Sequence, residues 1–391
     1  MTTDILDPHW WQSNPQADYQ SLLAYDGLWR DERSNIWVAA RHADVLAVER
    51  DPQTFASRQG DAGQYRLEPS ELEATMISND DPVHLEQRRM INRRFTPKAA
   101  RTHADHYRAL VTTMVDEAIS ANRQDGHVEV IDALAARLPC QVTAELIGFG
   151  PERWREVKSW SERQMRIDRR FVDPAIGEGL HDSIQEWATV MQDLLPKRFA
   201  EPQHDLFSDW IAAGMDPMTM VQETGLLIAG GAETTRTVIA HGIRALVDRP
   251  ETWEYLAADP ARIPLAVEEL IRWVTPLNNM FRVATVDTTV SGTTIAAGDR
   301  VMLLYPAANR DARVFDSPDQ LDVTRDPNPH LAFGHGTHFC LGANLARIEL
   351  RLLFESLTSR ITNLRVVSEP NVEPNIFARA VTRFDLAFDE R

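Results

Sequence analysis

The stretch Phe333-Gly-His-Gly-Thr-His-Phe-Cys340-Leu-Gly342 sets three glycines, Gly334, Gly336 and Gly342, around one cysteine, and the amphipathic run Ala343 to Leu357 follows it. Glycines let the backbone curl closely around the sulfur. A cysteine just before a helix sits in the positive field of that helix's N-terminus, which favours thiolate over thiol, as do backbone N–H groups aimed at the sulfur. A thiolate metal ligand is built this way. No CxxC or His/Cys pair stands beside it, so a structural zinc or an iron–sulfur cluster lacks its other ligands, whereas a haem iron needs only one axial protein ligand. Taken alone, a cysteine at a helix start reads first as a small buried hydrophobe, and only the full ten-residue pattern turns that reading toward a ligand. The second cysteine, Cys140 in Leu138-Pro-Cys-Gln-Val142, has no such surroundings and reads as core packing.

Outward from the loop, the chain of 391 residues is 43% hydrophobic and carries 41 Lys+Arg against 58 Asp+Glu, a formal net charge of −17. The composition excludes disordered, collagenous and disulfide-scaffold classes. The acidic excess argues against nucleic acid as the main partner. No apolar run approaches the roughly 18 to 20 residues that span a bilayer, and the start MTTDILDPHW lacks signal-peptide order, so a cytoplasmic protein without a membrane anchor is expected. With no internal repeat and no linker, one domain over residues 1–391 is expected.

Helical periodicity dominates, over Ala43 to Arg50, Pro82 to Phe95, Ala104 to Ser120, Ile131 to Ile147, Pro151 to Arg163, Ile176 to Phe199 and Pro264 to Val274. Short strands are predicted at Asn35 to Ala40, Thr288 to Ser291, Val301 to Tyr305, Leu364 to Val367 and Arg383 to Phe388. The fold class is mainly α with a small peripheral β region. Asp216 as N-cap, Pro217 at the first position and patterning to Val247 predict one helix of about 45 Å, long enough to be the central axis.

That helix carries Ala229-Gly-Gly-Ala-Glu233-Thr234-Thr235. Two glycines inside a helix cost roughly 1 to 2 kcal/mol together, so something must offset them: approach to a flat cofactor, a local opening of the helix, or tight packing. Three further patterns accompany it: Glu269-Leu-Ile-Arg272 on a helix, His84-Leu-Glu-Gln-Arg88 with both side chains on one face, and the Gln87 to His103 run rich in basic residues.

Together with the cysteine loop, these motifs, in this order, closely resemble those of bacterial cytochrome P450 monooxygenases, and the resemblance covers essentially the whole chain. It implies the P450 fold and haem b, with Cys340 as the iron ligand and Phe333, Gly334 and Gly230 against the cofactor. His84, Arg88, Arg282 and His338 match the positions that bind the haem propionates; many relatives have Arg where this chain has His338, which makes that contact pH-dependent. Thr234 and Glu233 match the alcohol and acid that deliver protons to dioxygen, and Glu233 stands where many relatives have Asp. Glu269, Arg272 and Arg325 match a structural clamp.

By the same resemblance the pocket is framed by Ala56 to Ile77, Phe171 to Ile176, Leu227 to Thr234, Pro276 to Met280 and Asn375 to Ala378. Leu227, Ile228, Leu277, Met280, Ile376 and Phe377 imply an apolar substrate. The wording from Asn278 to Cys340 is similar to that of enzymes oxidising sterol or other lipid side chains. Electrons are expected from a separate ferredoxin and reductase, docking near Arg88, Arg89, Arg93 and Arg94 on a monomer. A peroxide-driven peroxygenase and a non-catalytic haem sensor or carrier are the competing readings.

Overall fold

Asp216 opens the longest helix as the sequence predicts: its carboxylate accepts the N–H groups of Met218 and Thr219, Pro217 takes the first position, and 31 residues, Pro217–Val247, follow without interruption. The computed structural model describes residues 4–58, 75–166 and 173–391. This central helix is buried along much of its length against Arg137–Ile147, Trp154–Gln164 and Ile263–Val274. The largest apolar cluster surrounds it and includes Val238, Ile239, Ile243, Leu270 and Phe354. The cysteine loop precedes helix Ala343–Arg360, which packs on Ala104–Asp125 and Ile263–Val274.

Among the described residues ten strands form three small sheets: β1 (Trp29–Asp31), β2 (Ile36–Ala39), β3 (Phe55–Ala56), β4 (Val128–Glu129), β5 (Asn279–Ala284), β6 (Thr288–Val290), β7 (Thr293–Ile295), β8 (Arg300–Leu304), β9 (Ile361–Val372) and β10 (Val381–Glu390). The five-stranded sheet runs β1-β2-β8-β5-β3, the next β4-β10-β9, and β6 pairs with β7. All pairings are antiparallel except β2 with β8. Strand alternation puts Met280 and Arg282 of β5 on one face, while Phe281 turns the other way into the core.

Three helices differ from their sequence reading in local detail, one of them Pro151 to Arg163, which opens as a 3-10 turn, Pro151–Arg153, before Trp154–Gln164. Ile131 to Ile147 begins as a π turn, Ile131–Ala135, before Arg137–Ile147, in a segment where Pro139 has no N–H to donate. Pro82 to Phe95 divides into Val83–Ile91 and a 3-10 turn, Asn92–Arg94. Strand β5 has no signal in the sequence reading because it opens with asparagine, a poor strand former; its place between β8 and β3 overrides that preference.

Candidate active site

The cysteine loop is held by its own backbone. Cys340 N donates to Phe333 O at 2.9 Å, and Gly334 and Gly336 adopt φ of 65° and 72°, in the left-handed region that glycine enters without strain. A Cβ on Gly336 would also collide with the carbonyl oxygen of Glu49, so that glycine is required twice over. Cys340 is half-buried. Burial pushes its thiol up, while the N–H groups of Gly342 and Ala343 and the cations Arg88 and Arg347 pull it back. The Phe333 ring lies under Arg347, with 4.5 Å from guanidinium to ring centre, and Arg347 is fixed by Glu268 at 2.7 and 2.8 Å.

A ring of nitrogen groups surrounds one side of the loop. His84 and His338 lie with ring centres 4.2 Å apart; His84 Nδ1 meets Asp81 Oδ1 at 3.0 Å and His338 Nε2 meets Ser57 Oγ at 3.1 Å. Arg88 Nη2 donates to Phe339 O at 2.6 Å, and Arg282 Nη1 to Phe281 O at 2.7 Å. Among the described residues neither arginine forms an ion pair with a carboxylate. Burial first, then the neighbouring Arg282, His84 and Arg88, push His338 down to about 2. Without an added anion His338 is therefore neutral. Behind Arg282, the buried Glu49 accepts from Tyr305 Oη at 2.7 Å and is pushed up to about 7 by desolvation.

On the central helix the two glycines have separate roles. A Cβ on Gly231 would sit 2.5 Å from Thr143 Oγ1 of the neighbouring helix, whereas a Cβ on Gly230 would meet nothing within 4 Å. Gly231 is thus tight packing and Gly230 borders open space. Leu227, Gly230 and Thr234 share a helical face, and Thr234 Oγ1 donates to Gly230 O at 2.9 Å. Glu233 turns elsewhere: it is buried, with Oε2 3.2 Å from Arg236 Nη1 and Oε1 without a partner among the described residues.

Ile228 is a correction to the sequence reading, since it is fully buried in the main core, about 100° round the helix from Leu227. Ile376 likewise packs into a second cluster with Phe281 and Met302 instead of lining the space. Leu277 bridges Ala378, and Phe377 and Met280 are only partly covered. Of the expected pocket frame, residues 59–74 and 171–172 lie outside the described residues.

The expected clamp is present and larger than its motif. Arg272 binds Glu269 through two bonds of 2.7 and 2.8 Å, and Arg325 adds a third at 3.1 Å. Asp322 N and Asn328 Nδ2 complete the carboxylate, and Arg272 also donates to Asn309, Pro318 and Gln320 carbonyls. Asn328, Asn309, Glu49 and Tyr305 are not among the expected site residues, and Ser57 is expected only within the pocket frame, because each acts through a partner tens to hundreds of residues away. Of the basic run, Arg94 is nearly buried and both it and Arg93 are bonded to Asp209, while Arg89 and Arg93 are exposed.

A flat group with two carboxylates fits this arrangement. Gly230 borders open space, and a Cβ on Gly342 would also meet nothing within 4 Å; Cys340 offers sulfur, and among the described residues Arg88 and Arg282 form no ion pair with a carboxylate. Fold and site together define the class of haem-thiolate oxygenases. The chain belongs to the cytochrome P450 family: the family model described as Cytochrome P450 matches residues 176–379. A steroid C26-monooxygenase of Mycobacterium tuberculosis is 34% identical over 377 residues, 95% of this chain and 92% of that protein. One from Mycolicibacterium smegmatis is 35% identical over 359 residues, covering 90% and 87%. Among solved structures, a Mycobacterium marinum cytochrome P450 in complex with pseudoionone has a TM-score of 0.89 at 30% identity, over 99% of both chains. A Bacillus megaterium enzyme in complex with testosterone has a TM-score of 0.86 at 25% identity, over 96% of this chain and 98% of that one. The chain is a haem-dependent monooxygenase. No helix among the described residues is long and apolar enough to cross a membrane.

Proposed function

We propose that this enzyme hydroxylates a sterol-like substrate, with Cys340 as the residue whose sulfur would hold the haem iron. The observation that carries the reading is the placement of Cys340 in a glycine-shaped loop with N–H groups and cations at its sulfur, in a fold whose central helix leaves open space at Gly230. Bound there, haem supplies reductive activation of dioxygen. Arg88, Arg282, His84 and His338 would hold its propionates, the arginines supplying the charge that buried carboxylates require. Phe333 and Gly334 shape the cysteine side.

Thr234 presents a hydroxyl on the open face of the helix, one step from the acid Glu233, so the pair can hold and pass protons where water is otherwise excluded. Leu227, Leu277, Met280 and Phe377 offer apolar contact, in keeping with relatives named as steroid monooxygenases. A ferredoxin-type donor meets the basic run through the exposed Arg89 and through Arg93, which is exposed although bonded to Asp209, while Arg88 donates to Phe339 O and Arg94 is nearly buried on the same Asp209. The whole chain acts as one catalytic domain.

The test is Cys340→Ser. The variant is expected to lose the thiolate-type spectrum of the ferrous carbon monoxide complex; its retention would refute the ligand assignment. Cholesterol added to the ferric protein should shift its spin state, and incubation with a surrogate ferredoxin, reductase and NADPH should yield a hydroxylated sterol. Equal turnover with hydrogen peroxide alone would mark a peroxygenase instead.

A further inference from the structure

Glu233 ends a row of alternating charges that reaches the surface. Arg236 Nη1 lies 3.2 Å from Glu233 Oε2 but 2.7 Å from Glu162 Oε1; its Nη2 donates to Val381 O at 2.8 Å, and its Nε is unpartnered. One buried nitrogen is therefore shared between two acids, with the shorter contact to Glu162. Glu162 meets Lys158 Nζ at 2.9 Å, and Lys158 meets the exposed Asp132 at 3.2 Å.

We propose that Glu162 is a positioning residue for proton delivery: by taking the closer hold on Arg236 it leaves Glu233 loosely bound and free to turn toward Thr234, with Lys158 adjusting that hold from the solvent side. The inference rests on the reading of Glu233 as the acid of the pair. In each transfer one proton leaves the Glu233 carboxyl and one is regained from water; no group in the row changes oxidation state.

The charges facing Glu233 come from several elements. Arg236 is on its own helix, Glu162 and Lys158 on Trp154–Gln164, Arg166 just beyond that helix, Glu373 after β9, and Cys140 lies beside Arg236 on Arg137–Ile147. Burial pushes Glu233 up most strongly; Arg236 and Lys158 oppose it, and Glu162 and Glu373 add to it. Arg166 is itself tied to Glu373 at 2.9 Å. A carboxyl raised in this way keeps its proton nearer neutral pH, where a general acid is most useful.

The two solvent-side residues have opposite expected effects. Infrared spectra of the ferric holoprotein across a pH series report the protonated carboxyl, its band identified by its loss in Glu233→Gln. Glu162→Gln removes a like charge and frees Arg236 for Glu233, so the midpoint should fall by about one unit, a tenfold drop in protonated fraction above it. Lys158→Met should raise it. In turnover with the surrogate donors, Glu162→Gln should also send a larger share of electrons to hydrogen peroxide. A midpoint and product yield unmoved in both variants, with Glu233→Gln still uncoupled, would overturn the inference and leave the acid assignment standing. Full coupling in Glu233→Gln would instead bring down the acid assignment itself.

Discussion

The chain contains two buried glutamates with an arginine three residues on, Glu233 with Arg236 and Glu269 with Arg272, and they end in opposite states. Glu269 receives donors from Arg272, Arg325, Asn328 and the Asp322 backbone, and both members of its pair are fully enclosed. Glu233 has one 3.2 Å contact with an arginine that is closer to another acid, and one oxygen with no partner. The spacing is the same, so the role is set by what the rest of the fold brings to it. A saturated carboxylate is a clamp; an undersupplied one is free to change its proton or its partner.

The largest effect expected from this contrast is on stability. Glu269→Gln strips charge from the carboxylate group that Arg272 and Arg325 share and leaves buried cations uncompensated, at a cost of about 3 to 5 kcal/mol. Urea unfolding of the holoprotein, with haem retention as a second readout, measures it. A loss within the error of the method would show that the surrounding carbonyls suffice for Arg272.

Glu349 breaks the contrast in a useful way, because it lies on the cysteine side yet is buried with an unpartnered oxygen, and desolvation pushes it up to about 8. Its folded-state proton is held more tightly than in the unfolded chain, where carboxyls titrate near the usual 4.5. Stability from this group is therefore full at acid pH and is lost as pH rises toward 8. Glu349→Gln should make the protein more stable than the native chain at pH 8, by an upper bound of about 4 kcal/mol, with the gap closing at pH 5. Paired unfolding curves at the two pH values decide it.

The smallest stability change is expected at Glu233→Gln, within about 1 kcal/mol, since no well-formed hydrogen bond is sacrificed. Thr234→Ala should be similarly mild for folding, with normal haem content, but should raise the peroxide share in donor-driven turnover. Unchanged coupling would remove Thr234 from proton delivery. A large loss of stability in either variant would erase the difference between the two acids.

Local chemistry made much of this molecule legible in its sequence. The Asp216 cap, the Pro217 start and the unbroken apolar pattern to Val247 gave a helix with bounds close to those observed. The cysteine loop was readable because its glycines serve nearby backbone geometry. Ile228 was misplaced because a pocket face and a core face lie one residue apart on a helix. The sharing of Arg236 was beyond reach, since Glu162 lies 74 residues from Arg236 and meets it only through packing of two helices. Arg94 looked like a free docking charge because Asp209, which neutralises it, is more than a hundred residues away.

The adjacent glycines of the central helix have a consequence for anyone who would re-engineer the enzyme. Position 231 abuts Thr143, whose side chain would have to shift to admit an added carbon, whereas position 230 opens onto space. In a randomised library, diversity at 231 would be purged by selection for folding, while diversity at 230 would survive to be sorted by cofactor uptake and by which substrates fit. One residue step along the helix separates an evolvable site from a forbidden one.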